Sequence, residues 1–288
     1  MQFFSRNVDS SPFFDKEFLQ AIKGLDSKEN IFETHNLSLK NLLLKVQDDM
    51  LVPVGNRDFV DYRSLSYGKK NIVNILEDSN YQAIRIDSVK FEEIHKLSNK
   101  LFNSEMSIGI KPTDITVMLD LPASYDLYLN SLSKKNRHEL KRKVKKFNNS
   151  FPQHEFIEGN RKEDFEDFIL LHKNSSQDKS RFMTENVEDF FYTLFNIQGW
   201  KIYALRINKE MVSAVFCFEN KEAIYLYNSG KAEDFDEFSV GIVLINYLVK
   251  KSIIDKRKLM DFLKGEERYK LTLGGRPQQL YDIELRKI

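Results

Sequence analysis

The sequence predicts an α/β (α+β) protein whose sheets are mixed, mostly antiparallel, and flanked by helices. Residues 200–207, 211–218 and 223–228 are three apolar, β-branched and aromatic runs in quick succession. They are joined by Asn208-Lys209-Glu210 and Glu219-Asn220-Lys221-Glu222, polar segments suited to hairpin turns. Residues 239–253 follow, with Ile242, Leu244, Ile245, Leu248 and Val249 available for a broad apolar helical face, and 258–262 reads as another strand. The earlier chain interleaves shorter helical and strand-like runs, which completes the mixed pattern.

Apolar periodicity predicts a helix over 13–25, with Phe14, Phe18, Ile22 and Leu25 on one face and Asp15 near its opening turn. Residues 42–46 and 50–54 read as a hairpin about Gln47-Asp48-Asp49. A loop over 55–62 leads to a helix near 69–77, a strand at 83–86, a helix at 89–101 and a strand at 115–121. One or two helices span 125–147, the second with Leu140, Val144 and Phe147 turned inward. A short strand at 154–157 precedes helices at 165–172 and 187–195, with 175–181 read as a polar loop holding Asp178 and Arg181 after His172. A short helix and a strand at 280–285 end the chain.

The 288 residues exceed the size at which one core usually stops growing, so two packed units or one large one are expected. Lys plus Arg (44) nearly balances Asp plus Glu (43), which leaves no global field to recruit nucleic acid or an acidic membrane. The lone Cys217 has no partner for an intramolecular disulfide and lies in an apolar run, the pattern of a core thiol in a reducing compartment. No uninterrupted apolar run approaches the roughly 20 residues that span a bilayer, and residues 1–14 lack the pattern of a signal peptide. A cytoplasmic location is expected. The five histidines form no pair at i, i+3 or i+4, so no metal site is expected. Neither a Walker-type phosphate loop nor a nucleophile elbow occurs.

Several stretches carry chemistry by their order. They are the basic run Leu129-Asn130-Ser131-Leu132-Ser133-Lys134-Lys135-Asn136-Arg137-His138-Glu139-Leu140-Lys141-Arg142, then Gly199-Trp200 through Val212-Ser213-Ala214 to Phe238-Ser239-Val240-Gly241. Asp261-Phe262-Leu263-Lys264-Gly265-Glu266-Glu267-Arg268-Tyr269-Lys270 closes the series, and Asp61-Tyr62 stands in the N-terminal half. Together they resemble the cellulose-biosynthesis acetyltransferases of the GNAT superfamily, which are related to Fem-type aminoacyl transferases. The resemblance covers nearly the whole chain. It implies tandem GNAT-like domains over 1–123 and 124–288, the second holding the acyl donor, with acetyl-CoA or another acyl-CoA as donor substrate.

Gly241, in the first turn of the helix that Ser239 and Val240 open, would let a phosphate approach amides that lack intrahelical acceptors, where the helix dipole also favours an anion. A pantetheine arm would lie along Tyr227, Asn228 and Ser229. Asp236 and Glu237 oppose an anion there, and Ser239 as a plain N-cap with Gly241 as a packing residue is the competing interpretation. Acyl transfer needs a proton acceptor, a proton donor and an oxyanion partner. By similarity to Fem-type enzymes Lys270 would stabilise the oxyanion; Tyr269 would donate a proton, and Asp261 or Glu267 would accept one. The competing interpretation of this cluster is a solvated turn.

The eight Lys and Arg residues of 134–146, among them Lys134, Lys135 and Arg137, fit an anionic acceptor, as do Asp61 and Tyr62 by the resemblance. A solvated helix face reads the same way. The expected activity is transfer of an acyl group to an amine or hydroxyl of a small-molecule or saccharide acceptor by direct attack. The alternatives are an aminoacyl-tRNA-dependent transferase, the one case in which nucleic acid is a partner, and a non-catalytic GNAT-like binding module.

Overall fold

The structure, a computed structural model, describes residues 11–25, 31–32, 43–67 and 70–288. It divides into two compact units, Met1–Thr116 with Gln278–Ile288, and Val117–Pro277.

The first unit opens with a 3-10 turn, Pro12–Phe14, and helix α1, Lys16–Leu25. The continuous helix expected from residue 13 is thus broken at Asp15, which is extended (ψ 141°). Strand β1, Ile31–Phe32, precedes the hairpin of β2, Leu44–Gln47, and β3, Met50–Pro53. Asp48 and Asp49 both take positive φ in its turn, as a two-residue hairpin loop requires. Residue 42 of the expected strand lies outside the described residues.

Strands β4, Ser66–Tyr67, and β5, Lys70–Asn71, lead to α2, Ile72–Glu77, whose N-cap Asn71 accepts hydrogen bonds from the amides of Val73 and Asn74. Residue 69, where a helix was expected to begin, is not described. Strand β6, Ala83–Lys90, runs into α3, Phe91–Phe102, so Val89 belongs to the strand rather than to the helix expected over 89–101. Strand β7, Met106–Asp120, carries the chain into the second unit and is far longer than 115–121. Pro112 and the exposed polar residues around it hide its first half from a pattern reading. The unit's strand order is β1-β2-β3-β6-β13-β7, where β13, Arg276–Lys287, is the final strand of the chain and pairs antiparallel with β6. Its core packs Leu44, Leu51, Ile72, Leu76, Ile84, Ile86, Ile283 and Leu285.

The second unit starts with α4, Tyr125–Ser131, and α5, Lys134–Ser150. Strand β8, Glu155–Gly159, is followed by α6, Lys162–Asn174, α7, Gln177–Phe182, and α8, Glu185–Phe195. Helix α7 replaces the loop expected over 175–181. Its N-cap Ser176 accepts from the Lys179 amide, but it buries no residue of its own, so it carries no apolar stripe for a pattern reading to find.

The expected meander is present as β9, Trp200–Ile207, β10, Glu210–Glu219, and β11, Ala223–Lys231. A 3-10 turn, Glu233–Phe238, leads into α9, Val240–Ile254, then β12, Leu259–Lys264, and α10, Arg268–Thr272. The strand order is β7-β12-β11-β10-β9-β8. Alternation along the strands divides the two faces. Val215, Cys217, Ile224 and Leu226 join the core of α5 and α9, whereas Phe216 and Tyr227 pack with Phe168 and Phe191 of α6 and α8. Val243, Leu244, Leu248 and Val249 of α9 are fully or nearly fully buried, each burial favourable by about 1.5–3 kcal/mol. No described helix is long and apolar enough to cross a membrane.

Candidate active site

Two parallel strands that pair briefly and then part define the site. Strands β11 and β12 pair at Ala223–Leu259, Ile224–Met260 and Tyr225–Asp261, after which β11 continues to Lys231 and β12 to Lys264 without pairing each other. A bulge in β11 sits at the same level: Phe216 pairs with Asn228 and Cys217 with Leu226, so Tyr227 is the extra residue. Its ring packs against Phe191 and Trp200, at 5.5 and 5.2 Å between centroids. Asn228 and Ser229 follow the bulge, where β11 has lost its parallel partner. The Ser229 amide donates to the Oδ1 of its neighbour Asn228 at 2.8 Å, a local bond that an extended ligand's strand-like pairing would have to replace.

Helix α9 opens at the C-terminal end of β11. Ser239 is left-handed (φ 55°) and its side chain makes no capping bond. The first helical hydrogen bond runs from the Val243 amide to the Ser239 carbonyl, so the amides of Val240, Gly241 and Ile242 precede the ladder. A Cβ at Gly241 would meet nothing within 4 Å. Gly241 is therefore not a packing residue, and its turn is open above.

The acidic residues ahead of this turn are neutralised. Asp236 forms an ion pair with Lys231, and Glu237 pairs with Lys146 at 2.9 Å. Lys146 also donates to the Glu237 carbonyl at 3.0 Å and lies over the Phe238 ring.

The end of β12 is arched and stapled from beneath. Leu263 (φ 58°) and Gly265 (φ 109°) are both left-handed. Asp261, fully buried, accepts a hydrogen bond from the Leu263 amide at 2.9 Å. Lys270, 2% exposed, donates to the carbonyls of Lys264 at 2.6 Å, Gly265 at 3.2 Å and Leu263 at 3.5 Å, and it pairs with Glu267 at 2.9 Å. Its ammonium thus faces the loop backbone in this structure. Tyr269 packs edge-on against Phe262, and burial, then the charge of Glu267, push its hydroxyl pKa up. Glu267 is more than half exposed.

The remaining candidates lie apart from this cluster in the chain. Lys134 and Lys135 are exposed at the start of α5, while Arg137 donates to Asn130 at 3.3 Å and so ties α5 to α4. Leu140 and Phe147 are buried, as the inward face of this helix requires. Asp61 and Tyr62 belong to the first unit. Tyr62 is 1% exposed, its ring against Phe13 with the Lys90 ammonium 3.5 Å from its centroid.

Cys217 is buried and its thiol pKa is pushed up by burial, which disfavours the thiolate. Among the described residues, no group of three or more His, Cys, Asp or Glu is arranged to hold a metal ion.

His172, in the helix expected over 165–172, is 1% exposed, while Asp178 and Arg181, expected in a loop, pair with each other on the surface of α7. Lys179 was missed altogether. Its Nζ donates to the Ser229 carbonyl at 2.5 Å, on the stretch of β11 that pairs with β10 but no longer with β12. The one signal for it in the sequence is Ser176, a helix-capping residue three positions earlier.

Comparison with known proteins bears on the fold. No curated protein matches the sequence. FemX superposes with a TM-score of 0.59 at 12% identity, covering 84% of this chain and 83% of that one. The C-terminal domain of a putative lysylphosphatidylglycerol synthetase from Agrobacterium fabrum gives 0.58 at 7% identity, with 84% and 80% covered. A conserved protein of unknown function from Bacteroides thetaiotaomicron gives 0.57 at 15% identity, with 95% and 97% covered. Residues 134–271, from the start of α5 into α10, match the acetyltransferase (GNAT) domain, and the chain around that domain shares the fold of FemX.

Proposed function

We propose that this protein is an acyltransferase that moves an acyl group, acetyl foremost, from acyl-CoA to an amine or hydroxyl of a small-molecule or saccharide acceptor. The observation that carries this reading is the parting of β11 and β12 beyond Tyr225–Asp261, next to the open first turn of α9 at Gly241. An extended pantetheine arm would fill the gap as a third strand, and the donor's phosphates would meet the amides of Val240 and Gly241. The paired state of Asp236 and Glu237 removes the electrostatic objection to an anion there.

In the reaction a bond forms between the acceptor's nitrogen or oxygen and the acyl carbon, and the carbon–sulfur bond breaks. Glu267, the exposed carboxylate of the cluster, takes the acceptor's proton, and Tyr269, kept protonated by burial, supplies one to the leaving sulfur. Asp261 holds Leu263 in place rather than meeting substrate. Lys270 contributes its positive charge behind the loop carbonyls it binds, the setting from which it would favour an oxyanion. A buried, protonated Cys217 supports direct attack over a covalent enzyme intermediate, and it suits the reducing conditions of a cytoplasmic location. The signature from Asp261 to Lys270 supports placing the chain with the cellulose-biosynthesis type of GNAT enzyme.

One observation favours a second donor. Lys134, Lys135, Lys141, Arg142 and Lys145 are exposed along α5, a surface that would grip the tRNA of an aminoacyl donor. Such binding weakens steeply with salt.

Thermal unfolding with and without millimolar acetyl-CoA tests the first reading, because a ligand of the folded state raises its apparent stability. A saturable rise supports it. No rise with any acyl-CoA, together with a salt-sensitive rise with tRNA, replaces it by the second.

A further inference from the structure

Each unit builds a gap between two parallel strands, and the first unit fills its own. There β3 and β6 pair only at Met50–Ala83 and Leu51–Ile84, after which β3 runs on to Pro53 and β6 to Lys90 without pairing each other. Helix α2 joins these strands as α9 joins β11 and β12. The later strand of each pair carries a left-handed residue near its end, Ser88 (φ 59°) in β6 and Leu263 (φ 58°) in β12.

Residues 62–65 occupy the gap of the first unit. Arg63 forms a parallel backbone bridge with Val89, and its amide donates to the Ser88 carbonyl at 3.1 Å. Tyr281 of β13 holds the other edge of β6 opposite Val89, so Arg63 lies on the edge that faces β3. From there its guanidinium donates to the carbonyls of Val54 at 2.9 Å and Gly55 at 2.5 Å, beyond the end of β3, and its Nε donates to Asp87 at 3.1 Å. One residue thus spans the gap, with its backbone on one strand and its side chain on the other. The segment is sealed in place: Tyr62, Arg63 and Leu65 are 1%, 4% and 0% exposed. Glu93 of α3 accepts from the Ser64 hydroxyl at 2.6 Å and from the Leu65 amide at 3.2 Å.

The helix end is closed as well. The Ile72 amide donates to the Leu65 carbonyl at 3.2 Å, and the Asn71 side chain accepts from the amides of Val73 at 3.0 Å and Asn74 at 3.3 Å. The first three amides of α2, which have no intrahelical acceptor, are therefore all satisfied by the chain itself. The second unit differs at both places. Ser239 makes no capping bond and the turn at Gly241 is open. Among the described residues no bridge enters between β11 and β12 beyond Tyr225–Asp261, and the group that meets the Ser229 carbonyl is the end of a side chain, Lys179. A chain segment paired to a strand edge takes the same polar groups that an extended ligand would use.

We infer that residues 62–65 are a built-in occupant of the gap that, in the second unit, takes the donor, with Arg63 as its latch, so that one chain binds one donor and the first unit is closed to it. The count of donors rests on the acyl-CoA reading above; the occupied gap does not.

The test joins calorimetric titration of the full chain with acetyl-CoA to hydrogen exchange across residues 62–65. One equivalent should bind per chain and be lost in Gly241→Phe. Exchange across 62–65 should be at least about a hundredfold slower than in the unfolded chain, and the same with and without acetyl-CoA. Arg63→Met should speed that exchange at least about tenfold, the effect of losing charged hydrogen bonds, and should keep the single equivalent. A second equivalent in the wild type, or slower exchange across 62–65 once acetyl-CoA is added, puts a donor in the first unit and overturns the inference. Exchange at the unfolded rate in the wild type, or exchange that Arg63→Met leaves unchanged, overturns it too. If no acyl-CoA binds, the donor reading falls, while slow exchange released by Arg63→Met sustains the occupied gap. Should Arg63→Met not fold, exchange and stoichiometry in the wild type decide.

Discussion

The ammonium of Lys270 lies 2.6 Å from the carbonyl oxygen of Lys264, the last residue of the strand that it braces from α10. With the Gly265 and Leu263 carbonyls and Glu267 it surrounds that ammonium by acceptors, and Asp261 anchors the same arch through the Leu263 amide. The arch contains two left-handed residues, one of them Leu263, a conformation that costs a non-glycine residue about 1–2 kcal/mol. The buried charge holds in place a backbone shape that the chain alone would not keep.

Replacing Lys270 by Met strands those carbonyls without a donor. The variant should lose about 2–4 kcal/mol in urea unfolding, with Lys270→Arg intermediate. Turnover should fall much more than donor affinity if, as proposed, the arch lies at the reacting end of the gap. A Met variant as stable and as active as the wild type rules out the staple.

Gly241 offers a separation of stability from binding. With open space around a Cβ, Gly241→Ala should stabilise α9 by about 0.5–1 kcal/mol. Gly241→Phe should fold but lose most of the acetyl-CoA-induced rise in midpoint. Equal donor responses in all three proteins would place the phosphates elsewhere.

Asp236 and Glu237, paired with Lys231 and Lys146, stand just ahead of the α9 turn that a donor's phosphates would meet. Asp236→Asn with Glu237→Gln should tighten acetyl-CoA by roughly three- to tenfold at low salt, the gain shrinking as ionic strength rises. Stability should change by less than about 1 kcal/mol, as for other exposed pairs. Calorimetric titration at two salt concentrations reads both, and weaker binding by the double variant counts against the arrangement.

The buried imidazole of His172 makes stability depend on pH. Its pKa drops from 6.5 to about 4 on folding, so between these values the unfolded chain takes up a proton that the native state refuses. Stability from this residue is complete above pH 6.5 and is lost as pH falls toward 4, an effect on the order of 3 kcal/mol. Urea unfolding at pH 7 and pH 4.5 should therefore show a smaller decline for His172→Asn than for the wild type. Parallel declines would mean the imidazole is hydrated.

Long apolar runs were legible because burial on one or both faces imposes a period on the sequence. Strands β9 to β11 and helix α9 fall within a few residues of their expected places for that reason. Helix α7 and the first half of β7 were not legible, since neither buries a continuous face. The site was partly legible. Asp261, Glu267, Tyr269 and Lys270 do gather about one arch, but their types could not say that Lys270 faces backbone carbonyls and that Asp261 is sealed from solvent.

By itself the sequence determined the mixed α/β class, the meander followed by a helix and a strand, the buried thiol and the cluster from Asp261 to Lys270. These follow from local periodicity and composition, which the chain carries along its length. Only the tertiary structure decided that β11 and β12 part after Tyr225–Asp261, that β13 returns to the first unit, and that Lys179 reaches Ser229. Each of these is a pairing between residues distant in the chain, set by which buried groups find hydrogen-bond partners once the sheets are assembled, and local pattern holds no record of it.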